Sequence, residues 1–209
     1  LSCGKNRLRA VLSQIFMNYF YRFSLIITNV WINLVAMKLS RILLIIASFF
    51  PALLFAQNRY DVVMDEIMAD PTPQIGLPNN EWLELKNTTA APVNLQNWRI
   101  GDATGQSGPM PNFILQPDSF VIVCTGSAVA AMSALGTTIS VTSFPSLDND
   151  GDQLFLRAAN GRTIHAVSYT SDWYQNEVKK DGGWTLEMID PKSPCAGFSN
   201  WKASINITG

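Results

Sequence analysis

Acidic residues are missing from the start of this chain. No Asp or Glu precedes Asp61, the first of all 16, while six of the 15 basic residues (Lys5, Arg7, Arg9, Arg22, Lys38 and Arg41) come before Gln57. From Gln57 onward nine basic and 16 acidic residues remain, a net charge of −7 that the overall value of −1 conceals. An acidic module gains no counterion-release attraction to a phosphate backbone, which argues against non-specific nucleic-acid binding. Histidine is nearly absent too. With His165 alone, no two-histidine metal site can form, and a zinc site would have to lean on carboxylates or thiols. Long apolar runs are also wanting: Ile42–Phe55 gives about 15 residues with Pro51 inside, short of the ~20 that span a bilayer. There is no internal repeat and no low-complexity tract.

What stands at the front is a basic, apolar leader. Met37–Ala56, MKLSRILLIIASFFPALLFA, has the parts of a secretory signal peptide: Lys38 and Arg41 as the positive region, an apolar stretch from Ile42, and Leu54-Phe55-Ala56 ahead of a cut before Gln57. A retained anchor is the rival reading. Residues 1–36, with Met17 and the apolar stretch Phe23–Ala36, read as over-extended upstream sequence without a fold; the alternative is a first membrane helix edged by Arg22. The expected folded domain is 57–190, with 191–209 as a C-terminal extension that breaks off before a longer protein ends. The 153 residues from Gln57 to Gly209 suffice for one core.

Beyond the leader, apolar and polar residues alternate. In Glu81–Asp102, EWLELKNTTAAPVNLQNWRIGD, Leu83 and Leu85 fall on one face with Trp82, Glu84 and Lys86 on the other, and Trp98 and Ile100 share a face beyond the turn-prone Asn87–Pro92. Period two bounded by Asn, Thr and Pro is the mark of half-buried strands. Further strands are predicted at Val62–Met68, Phe113–Leu115, Phe120–Cys124, Ile139–Val141, Leu154–Arg157, Thr163–Tyr169 and Trp184–Ile189. Asn160-Gly161 supplies the positive φ that a hairpin turn wants. Gly126–Leu135 is the one helical candidate, with Ser127 as its N-cap. Many short strands joined by Pro and Gly turns describe an all-β sandwich or small barrel.

The ordered set Asp65-Glu66-Ile67-Met68-Ala69-Asp70-Pro71, Glu81–Asn87, Val93–Leu95, Trp98–Asp102, Leu115-Gln116-Pro117, Leu147–Asp152 and His165–Tyr169 resembles the lamin tail domain family, and its secreted bacterial, Bacteroidetes-like branch most. The likeness runs from Tyr60 to Ile189. It implies an immunoglobulin-like β-sandwich that binds something, preceded here by a signal peptide, with no catalytic residues to carry over. The coiled coil that builds nuclear filaments is missing, so that role does not transfer.

No constellation of catalytic residues stands out, and no cofactor is expected. Asp148, Asp150 and Asp152 around Gly151 invite a calcium reading. An EF-hand fit fails, because Ser146 would hold its first position and Arg157 its twelfth; a solvated turn explains the acids as well. Cys124 and His165 carry no nucleophile signature. As a strand residue His165 is expected to be partly exposed. Gly105-Gln106-Ser107-Gly108-Pro109 misses the G-x-S-x-G elbow, and Glu81 and Glu84 point to opposite faces of their strand. Cys124 and Cys195 are expected to pair in an exported protein, closing a loop of about 70 residues for about 4 kcal/mol; a buried free thiol at Cys124 is the alternative. Trp173 and Tyr174, with Trp82 on the outward face of its strand, form the candidate ligand face, since exposed aromatics suit sugars or a protein partner. The plain alternative has Trp173 tucked over the end of the sandwich.

The expectation is therefore a non-catalytic binding or adhesion module, secreted, at the cell surface or in the periplasm. Its partner would be a glycan or a protein, it would meet the membrane only through the signal peptide before cleavage, and further domains would follow Gly209. The alternative is an accessory domain of a larger secreted hydrolase or nuclease. An independent hydrolase is the third and weakest reading.

Overall fold

The computed structural model describes residues 57–208 together with Arg22, Leu25, Thr28 and Trp31. The predicted signal peptide at 37–56, and most of 1–36, lie outside the described residues. The chain divides into two compact units, Leu1–Phe55 and Ala56–Gly209. In the first, the four described residues are helical and exposed, and Thr28 Oγ1 donates to the Leu25 carbonyl at 3.0 Å. Among the described residues no helix is long and apolar enough to cross a membrane.

The second unit is a sandwich. Its strands are β1 (Val62–Met68), β2 (Trp82–Asn87), β3 (Val93–Asn94), β4 (Arg99–Gly101), β5 (Ile114–Leu115), β6 (Phe120–Thr125), β7 (Thr138–Val141), β8 (Gly151–Arg157), β9 (Thr163–Thr170), β10 (Leu186–Met188) and β11 (Trp201–Ala203). One sheet runs β11-β10-β1-β2-β6-β7, a second runs β4-β8-β9, and β3-β5 make a short ribbon. Pairing is antiparallel except between β6 and β7. A parallel pair cannot be closed by a tight turn, and here the crossover holds a 3₁₀ turn, Gly126–Ala128, and α1 (Val129–Met132).

The inward faces are those that alternation assigns. Leu83 and Leu85 of β2, Ile67 of β1, Trp98 and Ile100 at β4, and Leu154 and Leu156 of β8 are all at most 1 % exposed and belong to one core. At ~25 cal/mol per Å² of apolar surface removed from water, that core holds the two sheets face to face. The 81–102 stretch does not form a hairpin within one sheet. β2 lies in the large sheet and β4 in the small one, so the linker between them carries the chain across the sandwich. Asn87 fastens that crossing: fully buried, it donates through Nδ2 to the Ala91 and Leu115 carbonyls at 2.8 and 3.0 Å. Its Oδ1 accepts from Thr89 N–H and Oγ1 at 2.9 and 2.8 Å.

Several expectations need correction. Trp82 does face away from the main core, yet it is 2 % exposed. The Gly126–Met132 crossover folds onto that outer face and makes a second cluster of Met68, Leu77, Trp82, Ile122, Cys124, Ala128 and Met132. Ser127 is not the N-cap; the 3₁₀ turn starts from Thr125 and α1 from Ala128, without a side-chain cap on either. Residues 191–209 are more than an extension, because Trp201–Ala203 pairs with β10 and completes the large sheet. The chain turns at Asn160-Gly161, but only Gly161 takes a positive φ, +81°; Ala158 N–H bonds to the Arg162 carbonyl at 2.9 Å.

Candidate functional site

Of the predicted ligand face, only Trp173 remains available. Tyr174 follows it in a 3₁₀ helix, Ser171–Tyr174, whose turn swings the phenol inward to 3 % exposure; burial then lifts its hydroxyl above the usual range. Trp173 itself is half-buried and packs on the main core. Its ring lies 6.2 Å from that of Trp201, tilted by 44°. Both line a recess of about 250 Å³ with Ala166 and Ser168 of β9 and with Pro194 and Cys195. Ala166 and Ser168 are exposed because they alternate with the buried Val167 and Tyr169. The recess has an indole wall, a proline, a hydroxyl and a thiol, a surface for stacking and one or two hydrogen bonds.

The two cysteines do not pair. Cys195 is exposed and Cys124 buried, both free. Cys124 sits in the outer cluster on β6, with Sγ donating to the Ile139 carbonyl at 3.9 Å, and burial raises its thiol above the normal value. Cys195 lies instead beside β9, in the other sheet. β1 and β2 stand between β6, which carries Cys124, and the β10–β11 hairpin, whose loop carries Cys195.

The acids at 148–152 divide. Asp148 and Asp152 line a second recess of about 380 Å³ with Asp102, Thr104, Gln106 and Ser146, while Asp150 takes no part in it. Gly151 N–H returns to the Asp148 carbonyl at 3.2 Å, so the acids do mark a turn. Asp102 is spent on its own loop, accepting from Thr104 N–H and Gly105 N–H, both at 2.6 Å. Among the described residues no three His, Cys, Asp or Glu side chains are placed to share a metal ion, and the calcium reading is not carried forward.

His165 is not partly exposed but fully buried. Its Nδ1 accepts from Met64 N–H at 2.9 Å. β10 pairs with β1 at Glu66 and Ile67, which leaves the Met64 amide past the end of that ladder for the imidazole to satisfy. Burial pushes the ring down to about 4; the Pro194 carbonyl pulls the other way, and Arg59 adds to the fall. The ring is neutral at physiological pH and serves as an inter-sheet fastener.

One cluster went unread in the sequence. Glu66 stands directly opposite Glu84 of β2 and Glu187 of β10, on the same face as Trp82. Asp65, the extra residue at a bulge between Met64 and Glu66, joins them. Burial lifts Glu66 and Glu84 to about 7 and Asp65 to about 6, with neighbouring carboxylates contributing. Asp65 Oδ1 and Glu66 Oε1 are buried without a partner. Only strand register brings these acids together.

Two facing sheets over one core, with a crossover helix on the outer face, make this an immunoglobulin-like β-sandwich. The sequence profile of the Lamin Tail Domain matches residues 56–171. That is more than half of the 209 residues, and the chain belongs to the lamin tail domain family. No curated protein matches it. The floor of the Trp173 recess on β9 falls inside the matched stretch, while Trp173, Pro194, Cys195 and Trp201 lie beyond it.

Proposed function

We propose that this chain is an exported, non-catalytic lamin-tail module that binds a glycan or protein partner, at the cell surface or in secreted form, through the Trp173 recess. The carrying observation is a half-buried indole beside a recess of about 250 Å³. Sites for drug-sized ligands run from ~300 to ~1,000 Å³, so this one suits a single sugar ring or a single side chain. Stacking on an indole gives such a ligand orientation as well as apolar contact. The net charge of −7 from Gln57 onward opposes a nucleic-acid partner.

Three of the groups the sequence offers for chemistry are otherwise engaged. The imidazole of His165 is bonded to a backbone amide, Cys124 is buried in the outer cluster, and the Ser107 hydroxyl is buried and bonded to Ile100 N–H and the Gly108 carbonyl at 3.1 and 2.8 Å. Export rests on the leader pattern at 37–56.

The test probes a glycan array and an array of extracellular proteins with residues 57–209, wild type beside Trp173→Ala. Binding that falls at least tenfold in the variant is the expected result. Equal binding by both proteins, or turnover on an ester, glycoside or phosphodiester panel, would overturn the reading. Recovery of a mature chain starting at Gln57 checks export separately.

A further inference from the structure

We propose that the acidic ladder on the outer face of the large sheet is a pH-operated latch on the β10–β11 hairpin and, through Trp201, on the Trp173 recess. Protons shared among the carboxyls keep β10 seated against β1, and their loss loosens it.

The register sets this up. Read across the strands, the row is Lys202 of β11, Glu187 of β10, Glu66 of β1, Glu84 of β2 and Ile122 of β6. Three carboxyls stand side by side, and like charges directly opposite one another destabilise a sheet. Asp65 adds a fourth from the bulge. Compensation is poor. Lys86 on β2 pairs with Asp118 at 3.0 Å and lies over the Phe120 ring at 4.0 Å. Lys202 makes no ion pair among the described residues, where Lys86–Asp118 and Lys180–Glu177 are the two found. β6 offers only Phe120 and Ile122 to this neighbourhood.

A second, independent observation sits next to Glu66. The Thr185 hydroxyl is fully buried and set against the Glu66 carboxyl, to which it can donate, while Asp65 Oδ1 and Glu66 Oε1 are buried without a partner. One hydroxyl proton cannot serve both carboxylate oxygens, so a donor is still short. A proton on the ladder supplies it, turning one acceptor into an O–H. The raised carboxyls agree: Glu66 and Glu84 hold protons up to about 7 and Asp65 up to about 6, through burial first, with the neighbouring carboxylates adding to the rise and Lys86 and the Thr185 hydroxyl only partly offsetting it.

The hairpin is the part that yields. β1 meets β2 at six paired positions and β10 at two, and β11 reaches the sheet only through β10. Trp201, the first residue of β11, is one wall of the Trp173 recess, so a loosened hairpin changes the recess.

The sign follows from linkage. Carboxyls whose folded values are raised stabilise the docked hairpin fully below their unfolded values, near 4, and lose that contribution as pH rises through about 6 to 7. The consequence for partner binding rests on the recess being the binding face; the latch itself does not, and amide exchange reads it without any ligand.

Hydrogen exchange of the full chain, corrected for intrinsic rates, is followed at pH 5 and pH 8. Peptides covering 184–190 and 200–204 should exchange at least tenfold faster at pH 8, while the β8–β9 hairpin stays within twofold. Glu66→Gln, or Glu187→Gln should the first not fold, should remove most of that difference. A change under twofold in the β10–β11 peptides, an equal change in β8–β9, or full pH dependence in the folded variant would each overturn the latch. If the exchange result holds while Trp173→Ala leaves array binding intact, the latch stands and the recess reading falls.

Discussion

Asn87 offers the sharpest check on how the chain crosses the sandwich. Asn87→Asp is isosteric, but it exchanges a two-proton donor for a carboxylate oxygen facing the Ala91 and Leu115 carbonyls at about the present 2.8 and 3.0 Å. Two effects add. Leu115 is 1 % exposed, so its carbonyl loses a buried donor and keeps only its strand partner Val93, at about 1–3 kcal/mol. The new carboxylate sits at a position with no solvent exposure against two carbonyl dipoles, and each pH unit by which its titration is displaced costs about 1.4 kcal/mol. A displacement of about two to three units brings the total to roughly 4–6 kcal/mol at pH 7. Asn87→Ala loses those two hydrogen bonds and also the two that Oδ1 accepts from Thr89, without a charge, and should cost about 3 kcal/mol at any pH. The aspartate variant therefore has a signature the alanine lacks: its deficit shrinks toward pH 4.5, where a protonated carboxyl can donate to one carbonyl. Urea unfolding followed by tryptophan fluorescence at pH 7 and pH 4.5 measures both. Costs under 1 kcal/mol, or an aspartate no worse than alanine at pH 7, would refute Asn87 as the fastener of the crossing.

Three further outcomes follow. His165, with its folded value down to about 4 against about 6.5 unfolded, stabilises the fold above 6.5 and loses about 3 kcal/mol as pH falls between those values; His165→Gln, compared with wild type by denaturation at pH 7 and pH 4.5, should lack that component, and an identical pH dependence would contradict it. Trp82→Ala should cost about 3–5 kcal/mol, as a large buried side chain does, while Trp173→Ala costs less than half as much; thermal unfolding by circular dichroism separates them, and equal costs would put Trp82 outside a packed cluster. In residues 57–209, Cys195 should react with a maleimide within minutes and Cys124 only in denaturant, as peptide mass spectrometry reports; equal labelling, or a disulfide between them, would contradict the burial described.

The parity of short strands was legible in the sequence, and it carries most of the fold. Leu83, Leu85, Trp98 and Ile100 face inward because alternation with polar neighbours leaves them no other choice. Parity names a face, however, and cannot say what covers it. Trp82 was rightly placed on the outer face of β2, and only the crossover through α1, which packs there, makes that face a second core. His165 could have been read better: it shares its parity with Val167 and Tyr169, and two buried neighbours at i+2 and i+4 are a signal of burial. Tyr174 escaped because a 3₁₀ turn breaks the period. β11 is three residues long and too short for any pattern to show. The acidic ladder was beyond reach, since Glu66, Glu84 and Glu187 become neighbours only through a register linking segments far apart in sequence.

The most direct measurement of the central claim uses the thiol at the mouth of the recess. Residues 57–209 are alkylated at Cys195 with a bulky maleimide under native conditions and returned to the glycan and protein arrays. Binding by the module should be lost to the same extent as in Trp173→Ala, with the β-rich circular-dichroism spectrum unchanged. Full binding with the recess blocked would contradict the account.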